Sequence, residues 1–388
     1  MLRDKMLKVM ADVNRVAAER EELVECMAIA LLTRKNLFIL GETGQAKSYV
    51  INEFRKRITG ARQFERLLSK QTDEEALFGR IDLKSLIDGN PKMITVGKIP
   101  DSHIVFLDEI FKSNEGVLNS LLTALNERRY TNESEVIDIP VVSFMSASNE
   151  IPNFSDPAEK ILKPLYDRFE LKIVTKYIES RNRRLATLAR KQSVGGENAA
   201  ETITLDELYA MQAEVTAISV PERVNELMDD VLCKLRRLGI HVSDRKYLNY
   251  YPIAQAKAWL DGRETVQPLD LLALKNYLWT TPEEISVITQ TLERLCVNPM
   301  SEKLSEIEAM ARDSYDEFTA TGDSRALRKL RGELLRLYSM QKELLAKADD
   351  ADKTAVEKSI AVLESYSSLA HEKSNFTYAP LHELEKLT

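Results

Sequence analysis

Four bulky apolar residues, Leu37-Phe38-Ile39-Leu40, run without a break into Gly41-Glu42-Thr43-Gly44-Gln45-Ala46-Lys47-Ser48, and Tyr49, Val50 and Phe54 then return at helical spacing. An unbroken apolar run of this length reads as a buried strand, so the pattern predicts strand, glycine-rich turn and helix start. Upstream, Leu7, Val13, Val16, Leu23, Met27 and Leu31 recur among charges and predict helix over residues 2–33. Downstream, residues 63–68 alternate as a short strand, and Thr72-Asp-Glu-Glu75 reads as a capping box for a short helix ending near Gly79. Residues 81–100 read as an irregular insert, with a helical turn at Leu83, Leu86 and Ile87, a break at Gly89-Asn90-Pro91 and a small strand at Met93 to Val96.

A second apolar run, Ile104-Val105-Phe106-Leu107, ends in Asp108-Glu109, the form of a buried parallel strand meeting its carboxyl edge. Leu118, Leu121, Leu122 and Leu125 mark an amphipathic helix, and residues 129–140 read as a hairpin around Asn132-Glu133-Ser134. Val141 to Ala147 is a further buried strand ending in Ser148-Asn149-Glu150, and residues 169–174 supply a fifth. Short apolar strands alternating with helices predict a doubly wound α/β domain over residues 1–195, with ligands at the carboxyl edge of a five-stranded parallel sheet.

Gly195-Gly196-Glu197-Asn198 reads as the loop into a different kind of chain. From Thr204 onward the pattern is helical, with capping boxes at Thr204…Glu207, Ser219…Glu222 and Thr281…Glu284, the last carrying Pro282 at the first helical position. This predicts an all-helical domain over residues 196–298, closed by a break at Asn298-Pro299. Residues 299–388 read as a helical hairpin or three-helix bundle, with one stripe at Leu327, Leu330, Leu334, Leu337 and Leu344 and a second at Val356, Ile360, Leu363 and Tyr366.

Bulk composition narrows the class. The 388 residues carry a net charge of −7, which argues against sequence-independent coating of DNA. The three cysteines and four histidines are scattered, so no zinc site and no disulfide framework is expected. The longest N-terminal apolar run, Cys26 to Leu32, is too short to span a bilayer and follows charges of both signs, so neither a membrane span nor a signal peptide is read there. A cytoplasmic protein is expected.

The loop at 41–48 is the chemical centre. Its backbone N–H groups and the start of the following helix would form an anion nest, Lys47 would reach the β- and γ-phosphates, and the Ser48 hydroxyl would ligate Mg²⁺. Ala46 stands where the common phosphate-loop pattern has glycine, so the loop alone is also compatible with an ordinary turn and a surface lysine. The Asp108-Glu109 strand decides between them. Asp108 would hold Mg²⁺ directly or through water, and Glu109 would polarise the water attacking the γ-phosphate. Asn149 closes the next strand and reads either as a turn residue or as a neutral amide orienting that water.

Gly41 to Ser48, Val105-Phe-Leu-Asp-Glu-Ile110, Leu118-Asn-Ser-Leu-Leu-Thr-Ala-Leu-Asn-Glu-Arg128, Ala147-Ser-Asn-Glu150 and Leu165-Tyr-Asp-Arg-Phe169 together resemble the AAA+ ATPases of the MoxR group, most of all its RavA branch. The resemblance covers about residues 20 to 285, and Ala46 is ordinary within it, whereas Thr43 departs from a common proline. It implies a P-loop AAA+ domain, a helical lid and ATP with Mg²⁺. It matches Asn149 to sensor 1, Arg168 to the arginine finger reaching a neighbouring subunit's γ-phosphate, and Arg245 to sensor 2 acting on its own subunit's nucleotide. The resemblance also implies a hexameric ring, since a finger in trans leaves the isolated subunit incomplete. The insert at 81–100 and the hairpin at 129–140 match pore-facing elements. The β-rich module of the RavA stalk has no counterpart in the helical pattern of residues 301–388.

The implied function is an ATP-driven remodelling chaperone for protein complexes or metalloenzymes. The resemblance also implies a von Willebrand factor A domain protein as partner; the chain shows no Asp-x-Ser-x-Ser site of its own. A nucleic-acid-directed motor is the alternative, weakened by the acidic charge and the lack of a basic aromatic stretch. A non-hydrolysing scaffold is a third, opposed by the presence of Lys47, Asp108, Glu109 and Asn149.

Overall fold

A computed structural model describes residues 1–89, 92–131, 136–192, 201–297, 299–321, 324–347, 350–374 and 376–387. The predicted breaks at Asn90-Pro91 and Asn298, the hairpin tip at Asn132-Glu133-Ser134 and the loop at Gly195 to Asn198 lie outside the described residues. The chain forms two compact units, Met1–Thr289 and Gln290–Thr388.

The first unit opens with α1 (Leu2–Val16) and α2 (Glu21–Thr33), then β1 (Leu37–Leu40) and α3 (Lys47–Arg55). The predicted N-terminal helical stretch is therefore two helices, interrupted where Glu19 takes a left-handed backbone. Nine of the 13 residues of α2 are buried, because it packs on β1 and β10 and also on α9 and α12. A helix apolar nearly all round needs such cover. The chain continues through β2 (Ile58–Thr59), β3 (Gln63–Leu67), α4 (Glu74–Phe78), β4 (Arg80–Ile81), α5 (Leu83–Ile87), β5 (Met93–Ile94), β6 (Ile104–Asp108) and α6 (Glu115–Glu127). It then forms β7 (Arg129–Thr131), β8 (Val136–Asp138), β9 (Ser143–Ser148), α7 (Lys163–Tyr166), β10 (Leu171–Val174) and α8 (Arg181–Gln192).

The main sheet is parallel throughout, in the order β10-β1-β9-β6-β3. Ile104, Val105, Phe106 and Leu107 are all fully buried, as a strand covered on both faces requires. This is the α/β fold with a five-stranded parallel sheet expected from the sequence. The helices that follow are α9 (Leu205–Thr216), α10 (Glu222–Arg237), α11 (Asp244–Leu248), α12 (Tyr251–Leu260), α13 (Lys275–Leu278) and α14 (Glu284–Val297).

Several local expectations shift. The cap of α4 is Asp73, which accepts from the Ala76 N–H, while the Thr72 hydroxyl accepts from the Ser69 N–H. The box at Thr204 and Glu207 forms as expected. The one at Ser219 does not: Pro221 caps α10, and the Ser219 hydroxyl instead bonds Glu264 and Thr265. Glu284 is itself the first residue of α14 and reaches back to the N–H groups of Thr280 and Thr281, leaving Pro282 in the preceding turn. Residues 203–204, expected without strand, form β11 (Ile203–Thr204) beside β2.

The insert and the hairpin are joined at their bases. Phe78, where α4 ends, stacks on Tyr130 of β7 with ring centroids 4.4 Å apart. Beyond that stack α5 buries none of its residues, and Leu83, Ile87 and Val96 stand exposed.

In the second unit, α15 (Pro299–Thr321), α16 (Ser324–Lys347) and α17 (Asp350–Lys373) pack pairwise, with α18 (Leu381–Leu384) against α16. Leu327, Leu330, Leu334 and Leu337 meet Leu363 in its core, so the leucine stripe is an internal seam. Among the described residues no helix is long and apolar enough to cross a membrane.

Candidate functional site

The loop between β1 and α3 is shaped for close approach to its surroundings. Gly41 donates to the Ser148 carbonyl of β9, and a Cβ there would fall 2.1 Å from the Thr175 hydroxyl and 2.3 Å from Gln45 Oε1. Gly44 has φ +87, and Ala46, which caps α3, is left-handed at φ 60 and ψ 27. That conformation is easy for glycine and costly for alanine, which explains why the common pattern has glycine there. The Lys47 ammonium donates to the Gly41 carbonyl and, at 3.2 Å, to that of Glu42. Burial lowers its pKa, opposed by the nearby charges of Asp108 and Glu109.

β1, β9 and β6 are adjacent, so Lys47, Asn149 and Asp108-Glu109 come to the same carboxyl edge. Burial raises the pKa of Asp108, as does the charge of Glu109, while the Glu109 N–H, Lys47 and a hydrogen bond from Ser48 oppose the rise. Ser48 and Asp108 thus offer a hydroxyl and a carboxylate side by side, an oxygen donor set suited to Mg²⁺. At Glu109 the backbone turns left-handed, φ 54 and ψ 47, and its N–H donates to the Ala147 carbonyl at 2.8 Å. Glu109 Oε2 is buried and accepts no hydrogen bond, although the Lys112 ammonium stands 3.2 Å away, close in charge but not aligned as a donor. A carboxylate oxygen with an unfilled acceptor site is what a water-activating base requires. Asn149 is exposed. With Gly41, Glu42, Gln45 and, from the helical part, Pro282 and Glu283, it lines a cleft of about 600 Å³.

Arg20 is a participant that the sequence reading missed. It sits in the break between α1 and α2, is 6% exposed, and donates to the carbonyls of Glu19 (2.7 Å), Gln45 (3.1 Å) and Lys176 (2.8 Å). It ties the phosphate-type loop to the segment leaving β10. The Glu19 carboxylate beside it accepts from the N–H groups of Glu179 and Ser180.

The two predicted arginines lie elsewhere. Arg168 and Arg245 line one cleft of about 570 Å³ with Lys35, Glu170, Lys246 and Tyr277. Lys35 precedes β1 and Glu170 precedes β10, so this cleft is at the amino edge of the sheet, opposite the loop. β1 alone spans four residues, about 13 Å at 3.3 Å per residue. The expectation that Arg245 serves its own subunit's nucleotide does not fit this placement. Arg168 Nε is buried without a hydrogen-bond partner. Beside it, Lys246 donates to the carbonyls of Leu278 and Trp279, and burial pushes its pKa down to about 8. No group of three or more metal-ligating side chains occurs among the described residues.

Residues 4–213 match the family model described as the MoxR domain in the MoxR-vWA-beta-propeller ternary systems, and residues 223–292 match an AAA lid domain. Two uncharacterized proteins of Methanocaldococcus jannaschii, MJ0079 and MJ0812, are 30% and 31% identical over 290 and 280 residues. Those spans cover 74% and 71% of this chain and 73% and 72% of the relatives. A solved structure, of a candidate ATPase from Cytophaga hutchinsonii, aligns at TM-score 0.60 with 17% identity, covering 75% of this chain and 94% of its own. At that identity the likeness shows the fold alone.

Proposed function

The chain belongs to the MoxR family of AAA+ ATPases, and on that premise we propose that it is an ATP-hydrolysing ring that remodels protein complexes. One observation carries the reading. The strands that lead into Lys47-Ser48, Asn149 and Asp108-Glu109 are neighbours in one parallel sheet, and all end at the same edge. Bound magnesium ATP would supply the reactive γ-phosphoryl group and the divalent charge beside it. The loop N–H groups and Lys47 would neutralise the phosphates, and Ser48 with Asp108 would hold the metal. Glu109 takes the proton of the attacking water, which Asn149 orients.

The arginine-lined cleft at the amino edge supports a closed ring, hexameric by family resemblance. Arg168 and Arg245 of one subunit stabilise the phosphoryl charge at the loop of the next, a contribution worth ~10³–10⁵ in rate where an arginine acts in trans. The exposed Leu83, Ile87 and Val96 of the insert would meet the client, and the Phe78–Tyr130 stack links insert and hairpin so that they move together. The matched family's description names vWA and β-propeller proteins, which favours a von Willebrand factor A domain partner. Likeness to the RavA branch and a cytoplasmic setting belong to the same reading. So does a division at about residues 195 and 298.

Mixing inactive subunits tests the core of it. Lys47→Ala lacks the loop and Arg168→Ala lacks the finger; combined, they regain ATPase activity if the sites are shared between subunits. Failure to regain any, with each variant folded and assembling, overturns the trans arrangement. Glu109→Gln turning over as fast as wild type would overturn hydrolysis at this site. The same Glu109→Gln protein, purified with ATP from its native cell against a Lys47→Ala control, identifies the partner; nuclease-sensitive nucleic acid in place of a von Willebrand domain protein would replace the chaperone reading.

A further inference from the structure

Helix α8 is unlike α1, α2, α9, α10 and α12, for it buries none of its 12 residues. A helix of that length without a packed face is marginal in water. Its sequence, Arg-Asn-Arg-Arg-Leu-Ala-Thr-Leu-Ala-Arg-Lys-Gln, holds five cations and no acid, in a chain whose net charge is −7. One side is anchored. The Arg183 guanidinium pairs with Glu21, and Arg190 donates to the Val16 carbonyl at 2.8 Å, with Thr187 half-buried between them. At 100° per residue the opposite side carries Arg181, Leu185 and Leu188, with Arg184 at its edge, while Lys191 falls toward the anchored side beside Thr187. Leu185 and Leu188 are 47% and 53% exposed. An apolar pair flanked by cations is a docking face for an acidic surface, not a solvated one.

The same chain carries such a surface. On α10, Glu222, Glu226, Asp229 and Asp230 are all exposed and fall within one 100° arc, and the same arc holds no cation before the helix's last turn. Two contacts fix where the faces lie. Tyr247 of α11 donates to Asp229 at 3.1 Å, so the acidic face adjoins the helix bearing Arg245. The Lys191 ammonium stands 5.9 Å from the Tyr49 ring centroid, and Tyr49 directly follows Ser48 of the loop. If a neighbour's Arg245 approaches the nucleotide at Lys47-Ser48, its α10 is carried toward α8.

We propose that α8 is a subunit-joining helix, whose Arg181, Arg184, Leu185 and Leu188 dock on the acidic face of α10 in a second copy of the chain. The proposal rests on the trans arrangement above and adds a contact to it. Opposite charge raises the rate and fixes the register of association, while the leucines leave water.

Charge exchange in the Glu109→Gln background, with ATP, tests it by sedimentation. Arg181→Glu with Arg184→Glu, or Glu226→Lys with Asp230→Lys, raises the concentration needed for assembly at least ~10-fold, because attraction becomes repulsion at each joint. All four changes in one chain restore assembly. Melting curves show that each variant folds. If the unreversed protein itself fails to assemble with ATP, the ring reading falls. If it assembles and the α8 reversal assembles equally well, only the α8 inference falls. Separate losses without restoration also overturn it, as does unchanged assembly with loss of co-purifying nucleic acid, which would assign the helix to a polyanion.

Discussion

Arg20→Met isolates what holds the phosphate loop in place. Nη2 of this buried guanidinium donates to Gln45 in the loop and to Lys176 beyond β10, Nη1 donates to Glu19, and methionine keeps the stem while removing all three bonds. A hydrogen bond from a charged group contributes about 1.5–3 kcal/mol net, so three give an upper range of roughly 4.5–9 kcal/mol. Lys176 is exposed and Glu19 half-buried, so their carbonyls recover water, which brings the expected loss to about 3 kcal/mol. At roughly 2 °C per kcal/mol for a unit of this size, the melting temperature falls by about 6 °C. Part of the loss is local. With the Gln45 carbonyl released, the loop N–H groups lose their common orientation, and KM for ATP rises more than kcat falls. Arg20→Lys, which keeps the charge with a single donor head, falls between the two. Circular dichroism melts and steady-state ATPase kinetics read both effects. A Met variant melting within about 1 °C of wild type, with unchanged KM, would refute the assignment of Arg20 as a positioning residue.

Two further outcomes follow from backbone and charge. Ala46→Gly removes roughly 1–2 kcal/mol of left-handed strain and adds back roughly 0.5–1 kcal/mol of unfolded-chain entropy. Denaturant titration should therefore show a net gain of about 0.5–1 kcal/mol, with Ala46→Val moving the other way; a loss for glycine would contradict the strained cap. Lys246 gives up its proton near pH 8 when folded, but an unfolded lysine holds it to about pH 10.4. The unfolded state thus binds the extra proton between these values, and stability rises with pH across that window. Relative to Lys246→Met, wild type should gain about 2 kcal/mol between pH 7 and pH 9.5, and a flat difference curve would sink the explanation.

The sheet was legible because parallel strands are covered on both faces, so β1 and β6 appear as unbroken apolar runs followed at once by their chemistry. Helix starts were read less well. At Thr72 and Ser219 a hydroxyl stands at the right spacing, yet Asp73 and Pro221 take the cap and the hydroxyls turn to other partners. Local spacing does not reveal which of two adjacent candidates the tertiary path selects. β2 and β11, two residues each, form only because segments far apart in sequence meet. Lys172 is the sharpest case of a misleading letter. It reads as polar within β10, but is fully buried, with its ammonium 4.7 Å from the Tyr166 ring centroid and its pKa driven well down by burial. Arg20 was hidden for the opposite reason. A charged residue in a Glu-Arg-Glu run looks solvated, and its partners lie 25 and 156 residues away.

The separation of charges across the sheet bears on control as well as on rate. The groups proposed to bind and position the nucleotide gather at the carboxyl edge of one chain, whereas Arg168 and Arg245 stand at the amino edge of the same chain. In the proposed ring a lone subunit would hold nucleotide but lack the cations that meet charge developing on the γ-phosphoryl group. Hydrolysis would then be conditional on the neighbour's position. Tyr166 and Trp279 connect the two parts of this device. The Tyr166 hydroxyl donates to the Thr280 carbonyl at 2.6 Å, and the Trp279 indole donates to the Lys172 carbonyl at 3.2 Å. These bonds fasten the segment before α14 to β10 and α7, the elements flanking Arg168. Lys246 of α11 donates to the Leu278 and Trp279 carbonyls of that same segment, so in the proposed ring both arginines would be presented to a neighbour's loop on one braced surface.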